Sequence, residues 1–169
     1  MPNDTSPDTA TAAAGAQIIP HPTKRASFEA LTFGIASEIF ALDAGIVREI
    51  LDIVTVTEVP GAQPFVGGLL NVRGKVVPLA DLRIKFGMDR TETTVDTRII
   101  VVEIELGGEA VIIGLLADKV FEVTEITGAS IEEAPEIGMN WPREYIKGIG
   151  KRGADFIIIP NISRIFAVN

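Results

Sequence analysis

The sequence predicts an all-β chain, and three observations carry that expectation. Ile100, Val102, Ile104 and Leu106 alternate with Val101, Glu103 and Glu105, the period-two pattern of a strand with one face in water. Gly107-Gly108 follows directly, a two-residue hairpin signal, and the next run, Ala110 to Ala117, is almost wholly apolar, as in a strand covered on both faces. Breakers at Pro60-Gly61, Pro64, Gly74-Lys75, Gly107-Gly108 and Gly150 to Gly153 separate several short strand-like runs, an arrangement that fits a barrel or sandwich.

In chain order, residues from Met1 to about Ala26 are rich in Pro, Thr, Ala, Asp and Ser. Their only large aliphatics are Ile18 and Ile19. Such a segment cannot bury enough surface to offset its ordering entropy, so a disordered leader is expected. Phe28, Leu31, Ile35, Ile39, Leu42, Ile46, Ile50 and Ile53 then recur at spacings of three and four, which reads as an amphipathic helix. Gly34, Gly45 and the local alternation of Thr32 to Ile35 and Glu38 to Leu42 read instead as strands around a turn at Ser37. Periodicity alone leaves the two readings open. Asp81 to Phe86 is expected to be a short helix capped by Asp81, and Ile162 to Phe166 another, after Asn161. Thr91 to Thr97, polar apart from Val95, is the expected joint between two halves. Val120 to Ile126 reads as a strand, Pro135 to Pro142 as an irregular loop, and Tyr145–Ile149 with Phe156–Ile159 as a hairpin.

Composition narrows the chemistry. The 169 residues contain no Cys, which removes disulfides, thiolate metal sites and thiol nucleophiles. The one histidine, His21, lies between Pro20 and Pro22 in the leader, away from any expected core, so the commonest general base is missing from the folding part. The net charge of −8 repels phosphate backbones and anionic lipid heads, against nucleic-acid or membrane partners. The excess is in the second half: ten acidic against three basic residues lie between Arg98 and Tyr145. No apolar run reaches membrane-spanning length and no signal peptide opens the chain, so the expected location is the cytoplasm.

The most informative stretch runs from Gly67 to Gly87. Gly68-Leu69-Leu70-Asn71-Val72-Arg73-Gly74 leads into Val76-Val77-Pro78-Leu79 and then Asp81-Leu82-Arg83. Gly74 frees the backbone for a positive φ at a tight turn, and Asn71 is placed to bond local backbone groups. Arg73, among apolar neighbours, would need a carboxylate partner if buried. Pro78 lacks an amide proton and is expected at a strand edge or end. No Gly-Lys-Ser/Thr element follows Gly67-Gly68, so it is not a phosphate loop.

This pattern resembles the CheW family of chemotaxis coupling proteins, whose hallmark is an Asn-x-Arg-Gly turn followed by Pro-x-x-Asp-Leu-Arg. The resemblance extends to Val47-Arg48-Glu49-Ile50, Pro60, Gly114 to Val120, Ile131 to Pro135 and Ile146-Lys147-Gly148-Ile149, and so covers about Phe28 to Phe166. Ala117, where the family usually has Val, and the Phe156 to Asn161 ending depart from the pattern. The resemblance decides the early segment in favour of strands. It implies two small five-stranded SH3-like β-barrels packed together, with one or two short helices. The expected division is a leader over 1–26, a first barrel over 27–90 and a second over 91–169, with the C-terminal strand free to cross back.

The resemblance also implies a non-enzymatic scaffold, with no cofactor and no metal. Its partners would be the regulatory domain of the histidine kinase CheA and the cytoplasmic tip of methyl-accepting chemoreceptors, whose helical hairpin docks in an apolar groove near the barrel junction. No nucleic acid binding and no membrane insertion are expected, only association with membrane-bound receptor arrays. The alternative within this reading is the coupling module of a non-flagellar chemosensory kinase array. Outside it stand the kinase's own regulatory domain, an enzyme using carboxylates alone, and a ligand-binding barrel. The second lacks any spacing that brings two carboxylates together, and barrels of five strands are filled by side chains.

Partner-binding candidates are Val47, Glu49, Gly68, Leu70, Asn71 and Arg73, with core packing the simpler role for Val47 and Leu70. Glu49 and Arg73 are expected to form a salt bridge tying the early strand to the Asn71–Gly74 turn. Gly74, Pro78 and Asp81 complete the structural set. Asp118, after the buried run, is read as a strand-end residue. Glu132-Glu133 with Glu136 is read as a solvated acidic edge, and Trp141 as a plug of core.

Overall fold

The computed structural model describes residues 26–135 and 141–167, so the expected leader, His21 and Glu136 lie outside the described residues. The segment that periodicity left undecided forms three strands. β1 (Phe28–Ile35) and β2 (Glu38–Asp43) flank a turn in which Ala36 has a φ of 57°, and a single 3-10 turn at Ala44–Ile46 leads into β3 (Val47–Asp52). The helical spacing was accidental. It arose because the apolar positions of β1 and β2 are consecutive or alternating and a turn offsets the phase between them.

Then follow β4 (Thr57–Glu58), β5 (Gly68–Val72), β6 (Lys75–Ala80) and the helix α1 (Leu82–Lys85), whose first turn is capped by Asp81 Oδ1 accepting from the Arg83 amide at 3.1 Å. β7 (Arg98–Leu106) and β8 (Glu109–Ala117) make the expected hairpin, with Gly107 and Gly108 at φ 59° and 84°. β9 (Lys119–Ile126), β10 (Ile146–Arg152), β11 (Asp155–Pro160) and α2 (Ile162–Phe166) complete the chain, with Asn161 capping α2 through the Arg164 amide. Pro160 closes β11 opposite Ile146.

The strands form two curled sheets, in the orders β10-β11-β2-β1-β9 and β3-β7-β8-β6-β5-β4. Membership does not follow a boundary near residue 91. The chain starts in the first sheet, crosses to the second after Asp43, builds it through Ala117, and returns at Asp118. Thr91–Thr97 therefore connects α1 to β7 within the second sheet. The joints are the 3-10 turn at Ala44–Ile46 and the β8–β9 corner. Pro78 also differs from expectation: it lies inside β6, opposite Leu69 of β5. It is tolerated there because β6 meets its other neighbour, β8, only at Leu79 and Ala80.

Alternation sends each central strand's side chains into two different cores. Ala30, Ala41, Ile126, Ile157 and Ile159 fill the first sheet's interior, and Leu70, Val72, Val77, Ile99 and Val101 fill the second's. Between the sheets lies a larger core holding Leu31, Phe33, Ile35, Phe40 and Leu42 from one side and Ile100, Val102, Ile104, Ile113 and Leu115 from the other. Burial on both faces at Ile99–Val102 and Ile113–Leu115 explains their unbroken hydrophobicity, whereas Glu109 and Ala110 at the hairpin end of β8 are exposed. Trp141 plugs the middle core beside Phe40 and Phe86, at ring distances of 6.2 and 5.5 Å.

One ion pair spans the junction. The Arg83 side chain is only 3% exposed, pairs with Asp118 Oδ1, and reaches Asp81 Oδ2 at 4.0 Å. Asp118 in turn accepts from the Ala36 amide through Oδ2 at 2.6 Å, and its own amide donates to the Gly34 carbonyl at 2.9 Å. One carboxylate at the crossover thus holds α1 of the second sheet and the β1–β2 turn of the first. A buried guanidinium stripped of its carboxylate is strongly destabilising. Asp118→Ala is expected to lower the free energy of unfolding by about 3–5 kcal/mol, read from the denaturation midpoint at unchanged slope.

Candidate protein-docking site

The Asn71–Gly74 turn is built locally. Arg73 and Gly74 both take positive φ, 52° and 83°, the left-handed pair of a tight hairpin, and Asn71 Oδ1 accepts from the Gly74 amide at 2.9 Å. The turn lifts the Arg73 side chain out of the apolar surroundings that the sequence suggested, and it is 80% exposed. Arg73 Nη2 and Nε donate to the two carboxylate oxygens of Glu49 at 2.8 and 3.2 Å, a two-pronged pair on the surface. The expected bridge is therefore present and solvent-facing. It connects β3, an outer strand of the second sheet, with the β5–β6 turn from the other end of that sheet, and so spans the seam where the sheet curls round. The first sheet has a counterpart: Arg152 of β10 pairs with Glu122 of β9 across its own seam.

The other candidates divide by burial. Leu70 is 2% exposed and faces the second sheet's interior opposite Val77, and Gly68 is buried with a Cβ position only 2.4 Å from Val56 Cγ1. These two shape the site from beneath and offer no contact surface. Val47 is half-buried against the middle core, while Asn71 and Arg73 are exposed. Sequence reasoning passed over the apolar residues that complete this surface. Val76, the cross-strand partner of Asn71, is 72% exposed, and Ile50, next to Glu49, is 43% exposed. Ile53 and Val54 continue the exposed run. The available signal was their position, beside a turn or at the end of a strand on a sheet's outer edge.

A second feature lies at the junction of the sheets. A groove of about 1030 Å³ is lined by apolar side chains, Ile46, Ile104, Ile131 and Ile159 among them, and by the charged residues Asp43, Glu103, Glu105 and Lys147. Both sheets contribute, so it exists only because they pack together. The described residues contain no cluster of three or more His, Asp or Glu placed to hold a metal ion. Asp118 and Glu132 are engaged with Arg83 and Lys151, and Glu133 with Arg143.

The CheW-like domain family matches residues 29–169, every strand described above. The chain belongs to the CheW-like family. A chemotaxis protein CheW of Klebsiella aerogenes is 31% identical over 139 residues, spanning 82% of this chain and 81% of the relative. That of Rhizobium meliloti is 28% identical, spanning 82% and 86%. Among solved structures, the crystal structure of the scaffolding protein TtCheW from Thermoanaerobacter tengcongensis superposes with a TM-score of 0.73 at 34% identity, covering 84% of this chain and 94% of that one. The match confirms the CheW fold of two curled β-sheets with two short helices. The second sheet carries a sixth strand, the two-residue β4.

The Arg73 guanidinium beside Glu49 holds that carboxyl below the usual glutamate value, chiefly through their hydrogen bonds. A folded-state value lowered in this way stabilises the fold at neutral pH, and the contribution fades as acidification protonates Glu49. In an NMR titration the Glu49 carboxyl is expected to titrate below ordinary glutamates and to move upward in Arg73→Ala. Because the pair is exposed, that variant's melting temperature should stay within a degree or two of the parent's.

Proposed function

We propose that this CheW-like chain is a non-enzymatic scaffold that couples the cytoplasmic tips of chemoreceptors to the regulatory domain of the histidine kinase CheA in chemotaxis signalling. The observation that carries the reading is its likeness to chemotaxis proteins across all its strands. The geometry fits: both sheet interiors are filled by side chains, and recognition falls to outer surfaces. On this reading the surface of Ile50, Asn71, Arg73 and Val76 meets one protein partner, with Val47, Gly68 and Leu70 setting its shape from below. The junction groove receives an amphipathic helix of the other, the receptor hairpin.

The mechanism is positioning. Each partner rests on a surface fixed to the other through the middle core and the Arg83–Asp118 pair, so a rigid-body change in one is carried to the other. Affinities on the order of micromolar, about −8 kcal/mol, suit an array of many contacts strengthened by multivalency. The chain acts in the cytoplasm at membrane-bound receptor arrays. In keeping with this, no described helix is long and apolar enough to cross a membrane.

Titration calorimetry with an isolated CheA regulatory domain and with a receptor hairpin fragment checks the proposal. Binding to each is expected in the micromolar range, and no heat with either at high micromolar concentration would sink it. Val76→Asp, a change at a largely exposed position on the proposed surface, is expected to weaken one of the two by about tenfold, roughly 1.4 kcal/mol, with melting unchanged.

A further inference from the structure

The wall that the second sheet gives to the junction groove is the far end of the β7–β8 hairpin. β3 accompanies β7 only as far as Val102, and β6 meets β8 only at Gly114 and Leu115. Among the described residues, 103–106 and 109–113 therefore pair with each other alone, and the hairpin end leaves its sheet as a two-stranded ribbon. Ile104 and Leu106 seat the ribbon on the middle core, while Glu105, Gly108 and Ala110 line the groove. The groove carries four charged side chains, and three of them are committed. Asp43 Oδ1 accepts from the Gly45 amide at 2.8 Å, Glu103 Oε2 accepts from Arg48 Nη2 at 2.9 Å, and Lys147 has a contact of its own. The Glu105 carboxylate, exposed on the ribbon, makes no ion pair or hydrogen bond among the described residues. The charges are also placed unevenly. Both carboxylates of β7 come from the second sheet, whereas Lys147 comes from β10 and Asp43 from β2, in the first.

We infer that Glu105 selects and orients the helix that docks in this groove. The occupant is an amphipathic helix whose apolar stripe is flanked on one side by Lys or Arg, laid so that this flank meets β7. Turning such a helix end for end keeps its stripe on the isoleucines of the groove but exchanges its flanks. Its cations then face the wall that holds Lys147, and Glu105 is left without a partner. Like charges brought together at an interface are penalised, so the pattern sets the direction of the helix as well as its charge. The inference deepens the receptor-docking reading and rests on it for the identity of the helix; the selection of a cation by Glu105 does not.

Two stapled model helices test it, sharing one leucine stripe and differing only in whether Lys or Glu fills one flank. With the full-length protein at low salt, the Lys helix is expected to bind about tenfold more tightly than the Glu helix and to shift the amides of Ile104, Ala110 and Ile159. The preference should shrink as salt is raised. Glu105→Gln should erase most of it and Glu105→Lys invert it, with melting unchanged at this exposed position. Glu109→Gln, on the same hairpin but outside the groove, should leave it intact. A nitroxide at the N-terminus of the Lys helix should broaden amides at one end of the groove only, and broadening at both ends overturns the orientation. Equal binding of the two helices or none, a preference that survives Glu105→Lys, or shifts away from the groove overturn the selection. The receptor hairpin fragment separates this from the reading beneath it. A fragment that binds the parent and Glu105→Lys alike sinks the inference and leaves the receptor reading standing. A fragment that does not bind, while the Lys helix behaves as expected, sinks the receptor reading and leaves the selection by Glu105 standing.

Discussion

The arrangement of the two sheets depends on one buried charge pair at their crossover. Arg83 is almost fully enclosed, and the low polarity around it requires a carboxylate within bonding distance. Asp118 provides it from the corner where the chain passes back to the first sheet, and also receives the Ala36 amide from the β1–β2 turn. Asp81 stands on the far side and caps the helix that carries Arg83. Nonpolar packing alone would bring two apolar sheet faces together in several registers, because it is not directional. A charge that must meet its partner in one geometry removes that freedom.

The second organising feature is strand alternation. β1, β2, β7, β8 and β11 each belong to two cores at once, with successive residues pointing into a sheet's interior and into the layer between the sheets. This is why so small a chain buries three apolar clusters. What remains for recognition is the outside: a rim where an Arg–Glu pair spans a sheet's seam, exposed valine and isoleucine beside it, and the groove where the sheets meet. The two seams are spanned alike, Glu49 with Arg73 and Glu122 with Arg152, which fits a pair of small curled sheets that need side chains to link their outer strands.

Local signals were legible wherever one residue's chemistry decides the backbone. Gly107-Gly108 marked the β7–β8 hairpin, Gly74 the tight β5–β6 turn, and Asp81 and Asn161 the starts of both helices, because caps and positive-φ glycines act over three or four residues. The Glu49–Arg73 pair was legible through the motif that contains both residues, but its exposure was not. Neighbouring apolar residues suggested burial, whereas the left-handed turn turns the side chain outward. The burial of Leu70 and Gly68 was not legible for the converse reason: which face of β5 looks inward depends on the direction in which the sheet curls.

By itself the sequence determined that the chain is β-rich, where its turns and helix caps fall, that it has no Cys and a single His at position 21, and which family pattern it carries. Only the tertiary structure decided which strands share a sheet, that the chain crosses between sheets at Ala44–Ile46 and Asp118, that Arg83 is the buried cation, and where a groove opens. The reason is physical. Caps and turns are satisfied by groups a few residues apart, whereas sheet order, burial of a charge and the shape of a junction depend on pairings across tens of residues that no local period encodes.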